Sequence, residues 1–143
     1  MEDNLLIGID DYKILNEENP IGYTRDISTC IVCLIHREND TVFIHIESDG
    51  NEIYLENFME FIKPIKDNKI KNVDLFLGDY TSYGNLSIIK FILHRFDIKY
   101  NEYKVFKNNS NETSVGYNFN TKEYYMVRMN KGNPLLFKKK INM

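Results

Sequence analysis

The order of apolar and polar positions divides the chain into short runs typical of strands and longer runs typical of helices. Residues 31–36 and 42–46 are short and rich in β-branched and apolar side chains, and an Asn-Asp pair lies in the polar segment between them. Two such runs around a turn-forming segment predict a β-hairpin. Residues 5–9 and 73–77 are similar short apolar runs, and they are predicted as two further strands.

Two segments change to the periodicity of a helix. Within residues 52–65, apolar side chains recur at the spacing of one helix face, at Leu55, Phe58, Met59 and Ile62. Within residues 85–96, the expected buried face consists of Ile88, Ile89, Ile92, Leu93 and Phe96. Each pattern predicts an amphipathic helix with one buried side.

The last third of the chain returns to patterns typical of strands. Residues 99–106 predict one strand, and residues 115–119 and 124–129 predict a closing hairpin. Strands therefore outnumber helices, and short turns join many neighbouring strands. This order predicts an α+β fold with two main helices and a mixed or largely antiparallel sheet, in one domain over residues 1–143.

Composition and charge narrow the functional class. The chain has 143 residues, of which 43% are hydrophobic and 27% are charged, as in an ordinary globular protein. Its formal net charge of −3 argues against sequence-independent binding to nucleic acid, which requires clustered Lys and Arg. The Lys138-Lys139-Lys140 run near the C-terminus is interpreted as a solvated tail.

Signals for membrane insertion or secretion are missing from the sequence. No apolar run approaches the length of a membrane span, and the acidic N-terminus lacks the features of a signal peptide. Two cysteines this close together do not form the disulfide framework of a secreted protein. We therefore expect a cytoplasmic monomer that neither inserts into a membrane nor binds nucleic acid. Delivery to a host cell by a route without a signal peptide stays open.

Both cysteines lie at the start of the first hairpin strand, in the sequence Cys30-Ile31-Val32-Cys33. This spacing occurs in zinc knuckles and in redox pairs. On a strand, however, side chains at this spacing point to opposite faces, and no helix follows that could lower a thiol pKa. We therefore expect no metal. Cys33 is interpreted as a core residue, whereas Cys30, at the boundary with polar residues, is expected to place its thiol at a rim.

Cys30 is also a candidate nucleophile, with His45 as its base. If Glu38 and Asn39 form a two-residue turn, residue 30 faces residue 47 across the hairpin. His45 is then the diagonal neighbour of Cys30 on the same face of the sheet. A nearby imidazole can take the proton of a thiol and so generate the thiolate that attacks.

An imidazole that acts as a base needs a third group to orient it. Thr24, on the segment before Cys30, is the candidate for this role through its hydroxyl group. The backbone N–H groups of Thr29 and Cys30 are candidates for stabilising an oxyanion. The two other histidines, His36 and His94, are interpreted as structural or surface residues.

The segments IGIDDYKIL, GYTRDISTCIVCLI and VFIHI together resemble the bacterial chemoreceptor glutamine deamidase (CheD) family. That family has a Thr, a Cys after five further residues, and a His in the following strand. Thr24, Cys30 and His45 stand at these positions. The later segments SIIKFILHRFDIKYNEYKVF and SVGYNFNTKEYYMV are similar to the family's last helix, the strand after it and its closing hairpin. The resemblance covers most of the chain in order and length, and it implies a compact α+β sandwich with two helices packed on a mixed, largely antiparallel sheet.

The same Cys-His core occurs in deamidating toxins of the cytotoxic necrotizing factor and Burkholderia lethal factor type. Their motif is similar to Leu-Ser-Gly-Cys, and residues 27–30 read Ile-Ser-Thr-Cys. The chemoreceptor enzymes also carry Gly-Gly and Gly-Arg elements that are absent here from residues 77–85 and 107–112. Loops on a rigid scaffold carry specificity, so we expect similar chemistry on a different protein target.

The resemblance implies a protein-glutamine deamidase that uses a Cys-His-Thr thiol mechanism without a metal or organic cofactor. An active enzyme of this kind is expected to have a Cys30 pKa below the ~8.5 of a free thiol. The target stays open between a chemoreceptor helix and a host GTPase or translation factor attacked by an effector. An inactive binding module of the same fold is the competing class. Residues near the expected site rim are predicted to contact the target, namely Tyr23, Arg25, Tyr80 and Tyr83.

Overall fold

The structure, a computed structural model, describes residues 6–25, 27, 29–49, 55–78, 81–104, 113–130 and 133–140. For residues 113, 126–130 and 133–140 it describes the backbone alone. The described residues form nine strands and two helices, in the order β1 Tyr12–Leu15, β2 Ile21–Thr24, β3 Cys30–Arg37, β4 Thr41–Glu47, α1 Glu56–Ile62, β5 Ile70–Leu77, α2 Tyr83–Arg95, β6 Tyr100–Lys104, β7 Thr113–Asn118, β8 Glu123–Asn130 and β9 Asn133–Lys140.

The strands of the described residues form two sheets. The first has five strands in the order β1-β4-β3-β5-β6, and the second has four in the order β2-β7-β8-β9. β5 and β6 are parallel, with α2 as the connection between them, and the other paired strands are antiparallel. The predicted class is confirmed: an α+β sandwich with mixed, largely antiparallel sheets and helices on one side.

The five-stranded sheet is the middle layer. One of its faces packs against both helices through buried apolar side chains that include Cys33, Ile44, Phe58 and Ile89. Its other face packs on the four-stranded sheet through a second cluster that includes Leu34, Phe43, Phe76, Tyr117 and Tyr124. Both faces of β3 and β4 are buried, which explains why these strands read as continuous apolar runs and not as alternating ones.

The β3–β4 hairpin sets the positions of the candidate site residues. The amide of Arg37 donates to the carbonyl of Asp40 at 2.9 Å and closes a two-residue turn at Glu38-Asn39. From this turn the register runs along the hairpin to the pair Cys30–Glu47. The predicted hairpin and its register are confirmed.

The N-terminal apolar run contains a turn and is not a strand. Leu6 forms only an isolated parallel bridge with Tyr23, and Asp10 has a left-handed backbone with a φ of 61°. A left-handed residue interrupts the geometry of a strand. The strand prediction for residues 5–9 is therefore wrong over its described part, 6–9. The strands of this region are β1 and β2, which the pattern did not resolve because each has only 4 residues.

Both helices are found near their predicted positions but differ at their ends. α1 begins at Glu56 and α2 at Tyr83, while residues 52–54 of the first predicted helix lie outside the described residues. Met59 is 40% exposed and Phe96 is 51% exposed, so neither belongs to the buried face predicted for it. Phe96 is the C-cap residue that follows the last turn of α2. Within the described residues, neither helix is long and apolar enough to cross a membrane.

The C-terminal part contains one strand more than predicted. The strand expected over 99–106 is present as Tyr100–Lys104, with 105–106 outside the described residues, and the β7–β8 hairpin is confirmed. β9 then pairs with β8, so that Lys138 lies opposite Tyr125 and Lys140 opposite Glu123. The interpretation of this lysine run as a solvated tail is wrong, because the free edge of β8 gives its backbone a hydrogen-bonding partner.

Candidate active site

The candidate nucleophile and base lie on one face of the five-stranded sheet. Cys30 pairs with Glu47 and Val32 pairs with His45, so His45 is the diagonal neighbour of Cys30. Val32 belongs to the core between the sheets, and alternation along β3 places Cys30 on that same side. Diagonal neighbours in an antiparallel pair are about 7–8 Å apart at their backbones, within reach of long side chains.

Cys33 is on the other face of β3. It is fully buried in the core between the sheet and the helices, as predicted. The two thiols therefore point to opposite sides of the sheet, which agrees with the argument against a shared metal ion. No group of three or more His, Cys, Asp or Glu side chains that could hold a metal ion occurs among the described residues.

Thr24 contacts the ring of His45 in the interior, where both residues are 1% exposed. Thr24 Oγ1 donates to the carbonyl of Ile7 at 2.7 Å and lies 2.5 Å from His45 Nδ1. A hydroxyl has a single proton, and here the Ile7 carbonyl takes it. Nδ1 of the neutral imidazole must therefore donate to Thr24, which makes Nε2 the nitrogen with the lone pair. This is the tautomer that a general base on the Nε2 side requires.

Residues 6–11 hold Thr24 and His45 in this position. The Ile7 amide donates to the carbonyl of Tyr23 at 2.8 Å, which fixes the segment to β2. The Asp10 amide donates to the His45 carbonyl at 2.6 Å, and the His45 amide donates to the Asp11 carbonyl at 3.1 Å. The segment thus connects β2 of one sheet to β4 of the other, and it supplies the carbonyl that orients the Thr24 hydroxyl.

Cys30 differs from expectation in both exposure and pKa. It is only 1% exposed, so the prediction of a thiol at a rim is wrong. Burial raises the pKa of Cys30 to about 12, and the Glu47 carboxylate, with Oε2 at 3.8 Å from Sγ, contributes to the increase. This shift is opposite to the pKa below ~8.5 that we expect of an active enzyme of this kind. Near neutral pH the resting side chain is therefore a protonated thiol.

One of the two predicted oxyanion donors is already engaged. The Cys30 amide donates to the carbonyl of Ile27 at 3.1 Å. Thr29 is exposed, and its carbonyl accepts a short hydrogen bond from Ser48 Oγ. A substrate oxygen at this place competes with the Ile27 carbonyl for the Cys30 amide.

A polar network that the sequence did not reveal fixes the start of β3 to the start of α2. Thr81 Oγ1 donates to the Cys30 carbonyl at 2.8 Å, and Ser82 Oγ donates to the Ser48 carbonyl at 2.7 Å. Asn85 Nδ2 donates to the Glu47 carbonyl at 2.7 Å. Thr81 and Ser82, directly before α2, are a visible signal for a helix start, and Asn85 lies in the first turn of that helix. Its pairing with the end of β4 is a tertiary contact that no local pattern shows.

The predicted target-contact residues have different environments. Tyr23 is 4% exposed, so it is a packing residue and its prediction as a surface contact is wrong; its hydroxyl accepts from exposed Arg25 at 3.4 Å. Tyr83, the first residue of α2, is 79% exposed and can meet a partner. Tyr80 lies outside the described residues.

His36 and His94 have the structural and surface roles assigned to them. His36 is buried at 1% exposure, with Nε2 at 2.7 Å from Asp74 Oδ2 and Nδ1 at 3.0 Å from Thr41 Oγ1. Asp74 also accepts from the Tyr124 hydroxyl at 2.5 Å. His94 is exposed on the last turn of α2.

Comparison with known proteins leaves the family open. Neither a scan against protein-family models nor a search of curated proteins found a match to this chain.

Proposed function

We propose that this chain is a protein-glutamine deamidase, in which Cys30 is the nucleophile, His45 the general base and acid, and Thr24 the residue that orients His45. The observation that carries the proposal is the contact of Thr24 Oγ1 with His45 Nδ1 on the face that also holds Cys30. The same contact leaves Nε2 of the neutral ring as its proton acceptor, and His45 is the diagonal neighbour of Cys30 on that face. The resemblance to Cys-His deamidases supplies the reaction class.

The reaction proceeds in two halves that balance in atoms and charge. His45 Nε2 takes the proton of the Cys30 thiol while sulfur bonds to the side-chain amide carbon of a glutamine. The carbon–nitrogen bond then breaks, and ammonia leaves with the proton from His45. In the second half, His45 takes a proton from water, whose oxygen attacks the thioester. The carbon–sulfur bond breaks, glutamate is released, and the thiol recovers its proton.

The raised Cys30 pKa affects how this mechanism works. A preformed thiolate is nearly absent near neutral pH, because burial raises the Cys30 pKa to about 12. Proton transfer to His45 must therefore accompany attack, as in serine-based triads. A hydroxyl partner, unlike a carboxylate, does not stabilise a permanent imidazolium. His45 with Thr24 thus suits a base that is neutral at rest.

The proposed target is a protein glutamine, and the effector type of target is favoured over a chemoreceptor. Residues 77–85 and 107–112 lack the Gly-Gly and Gly-Arg elements of the chemoreceptor enzymes, and the Ser in Ile-Ser-Thr-Cys matches the toxin motif. A host GTPase or translation factor is therefore the first class of target to test. Exposed Arg25 and Tyr83 are the described residues proposed to contact it.

A protein-binding module without catalysis is the second candidate function. Three observations favour it: the buried Cys30 thiol, its raised pKa, and the Cys30 amide already bonded to the Ile27 carbonyl. In such a module His45 and Thr24 would only pack in the core between the two sheets.

Conversion of glutamine to glutamate in water labelled with heavy oxygen separates the two candidates. Purified protein is incubated with bacterial and eukaryotic lysates, and mass spectrometry scores glutamines that become glutamates carrying the heavy oxygen. The label excludes sites that were deamidated beforehand. The deamidase proposal expects conversion at a small number of sites. No labelled glutamate in either lysate would favour the binding module.

Variants of the site residues provide the controls. Cys30→Ser should abolish conversion, while Cys33→Ser, at the neighbouring thiol on the opposite face, should retain it. Thr24→Val keeps the shape but removes the hydroxyl, and it should lower the rate about tenfold or more because His45 loses its tautomer control. Thr24→Ser should restore most of the rate. Conversion that persists in Cys30→Ser would exclude the mechanism.

A further inference from the structure

Glu47 lies directly opposite the candidate nucleophile, a position that sequence reasoning did not single out. It is the cross-strand partner of Cys30 in the β3–β4 register. Its Oε2 is 3.8 Å from Cys30 Sγ and accepts the thiol hydrogen, while its Oε1 accepts the Ser48 amide at 3.0 Å. The carboxylate is therefore held against the reacting sulfur by its own neighbouring backbone.

Among the described residues, no cation forms an ion pair with Glu47. The ion pairs among the described residues involve Asp74, Asp40, Glu60 and Glu102, and none includes Glu47. A second carboxylate, Asp10, is close by, because Asp10 Oδ1 accepts the Glu47 amide at 3.3 Å. Burial raises the pKa of Asp10, and repulsion from Glu47 adds to this effect.

An unpaired carboxylate beside the sulfur opposes the proposed reaction. Attack by Cys30 places negative charge on the substrate oxygen. The Glu47 carboxylate, close to the attacking sulfur, disfavours the formation of that charge. Catalytic sites normally direct donors or cations at the place where such charge develops. Glu47 instead places a carboxylate beside the reacting sulfur.

We propose that Glu47 is a specificity-determining residue that makes Cys30 react with glutamines flanked by a Lys or Arg. This inference rests on the proposed deamidase function. The cation of the target segment pairs with the Glu47 carboxylate and cancels its repulsion at the moment of attack. A target with Asp or Glu beside the glutamine adds a further like charge and is rejected. The substrate class is therefore a basic segment of a protein.

The charge preference of Cys30 can be measured without any knowledge of the target. In a Cys33→Ser background, Cys30 is labelled with two methanethiosulfonates of similar size, one with a trimethylammonium-ethyl group and one with a sulfonato-ethyl group. The Cys30 thiolate displaces methanesulfinate and forms a mixed disulfide, which intact mass detects. The ratio of the two rate constants cancels any opening step that both reagents need to reach the buried thiol.

The proposal expects the cationic reagent to react faster in the Cys33→Ser background. Glu47→Gln keeps the shape and the bond to Ser48 but removes the charge, and it should lower the ratio about tenfold. Glu38→Gln, at the turn end of the same hairpin, is the matched control and should leave the ratio unchanged. Asp10→Asn should produce a smaller change of the same sign, and Asn is compatible with the left-handed backbone at residue 10. This variant replaces Glu47→Gln in the test if Glu47→Gln does not fold.

Two outcomes of the labelling would overturn the proposal. One is an unchanged ratio in both Glu47→Gln and Asp10→Asn. The other is a Cys30 that neither reagent labels, since a thiol closed to small reagents cannot select a protein segment.

A peptide experiment separates failure of this inference from failure of the deamidase function. Two glutamine peptides, with Lys or with Glu beside the glutamine, are compared for release of ammonia. Preference for the Lys peptide that disappears in Glu47→Gln supports the role of Glu47. Equal conversion of both peptides keeps the deamidase and overturns the role of Glu47. The third outcome is a labelling ratio that depends on Glu47, together with no ammonia from either peptide and no conversion in lysates. This outcome would exclude the deamidase function and, with it, the selection of glutamines by Glu47.

Discussion

Two buried histidines, His36 and His45, lie on the same hairpin and face the same sheet, but their surroundings differ. His36, near the turn, contacts the carboxylate of Asp74 through one ring nitrogen and the hydroxyl of Thr41 through the other. His45, toward the open end, contacts the hydroxyl of Thr24 through Nδ1 and is the diagonal neighbour of a thiol. Both rings are 1% exposed, so burial alone does not separate a structural histidine from a catalytic candidate.

The partners of each ring make the distinction. Asp74 is bonded to His36 and also accepts from the Tyr124 hydroxyl and from Asn101 Nδ2, so it is the shared acceptor of a polar network at that end of the hairpin. Such a network orders a core, and among the described residues no thiol is hydrogen-bonded to it. At the other end, the contact with Thr24 selects one tautomer and directs a proton acceptor toward the Cys30 face. The pairing of a defined tautomer with a nearby thiol is what supports a chemical role.

The largest difference between the two histidines is expected in the rate of glutamine conversion. His45→Asn should lower the rate of glutamine conversion by about 10²–10⁴, because it removes the general base. His36→Asn should leave the rate per folded molecule unchanged, because His36 does not touch the reacting groups. Labelled glutamate is quantified after each variant is normalised to its folded fraction. Equal losses in the two variants would mean that neither histidine has a specific chemical role.

For the free energy of unfolding, we expect the larger loss at the His36 end of the hairpin and not at the His45 end. Asp74→Asn places an amide where His36 and Tyr124 donate, and it should cost about 3 kcal/mol or more because buried donors lose their acceptor. Glu102→Gln, which disrupts the half-exposed ion pair with Lys90, is the control and should cost at most about 1 kcal/mol. Urea unfolding monitored by circular dichroism measures both. Similar small costs would contradict a structural role for the Asp74 network.

The smallest expected effect is that of high pH on the free energy of unfolding. Burial raises the pKa of Cys30 to about 12 and raises the pKa of Tyr124 as well. The folded chain therefore keeps a proton on Cys30 that the unfolded chain loses above ~8.5, so the free energy of unfolding falls as pH rises between these values. The fall is at most ~1.4 kcal/mol per pH unit for one thiol.

Cys30→Ala tests how much Cys30 contributes to the pH dependence of the free energy of unfolding. It should make the decline of unfolding free energy between pH ~8.5 and ~10 shallower, since one group with a raised pKa is removed. The decline that remains comes from buried groups such as Cys33 and Tyr124, whose pKa values are raised with the same sign. An identical slope in wild type and Cys30→Ala would mean that the folded Cys30 ionises as a free thiol does.

The features that the sequence predicted correctly are those with a short-range signal. The hairpin, its two-residue turn and the Cys30–Glu47 register follow from apolar runs and turn chemistry within one continuous segment. The burial of Cys33 follows from its apolar neighbours and from alternation along the strand. β1 and β2 escaped prediction because four-residue strands are too short to show a period.

The exposure and charge of the site were decided by tertiary structure. Residues 6–11 and the start of α2 are hydrogen-bonded to the strand ends, and in this arrangement Cys30 is buried and its pKa is raised. The contact of Asp74 with His36 joins positions 38 residues apart. No local pattern encodes such contacts, because they depend on which strands become neighbours in space.

The turn and the apolar runs of one continuous segment predict the register of the β3–β4 hairpin. This register in turn fixes which face of the sheet holds Cys30, His45 and Glu47. The alternation of side chains along paired strands is a local geometric property, so this could be read in advance. Only the packing of the second sheet brought Thr24 to Nδ1 of His45 and gave the ring its tautomer. That contact requires two sheets to meet, and the free energy of their meeting comes from the apolar core between them.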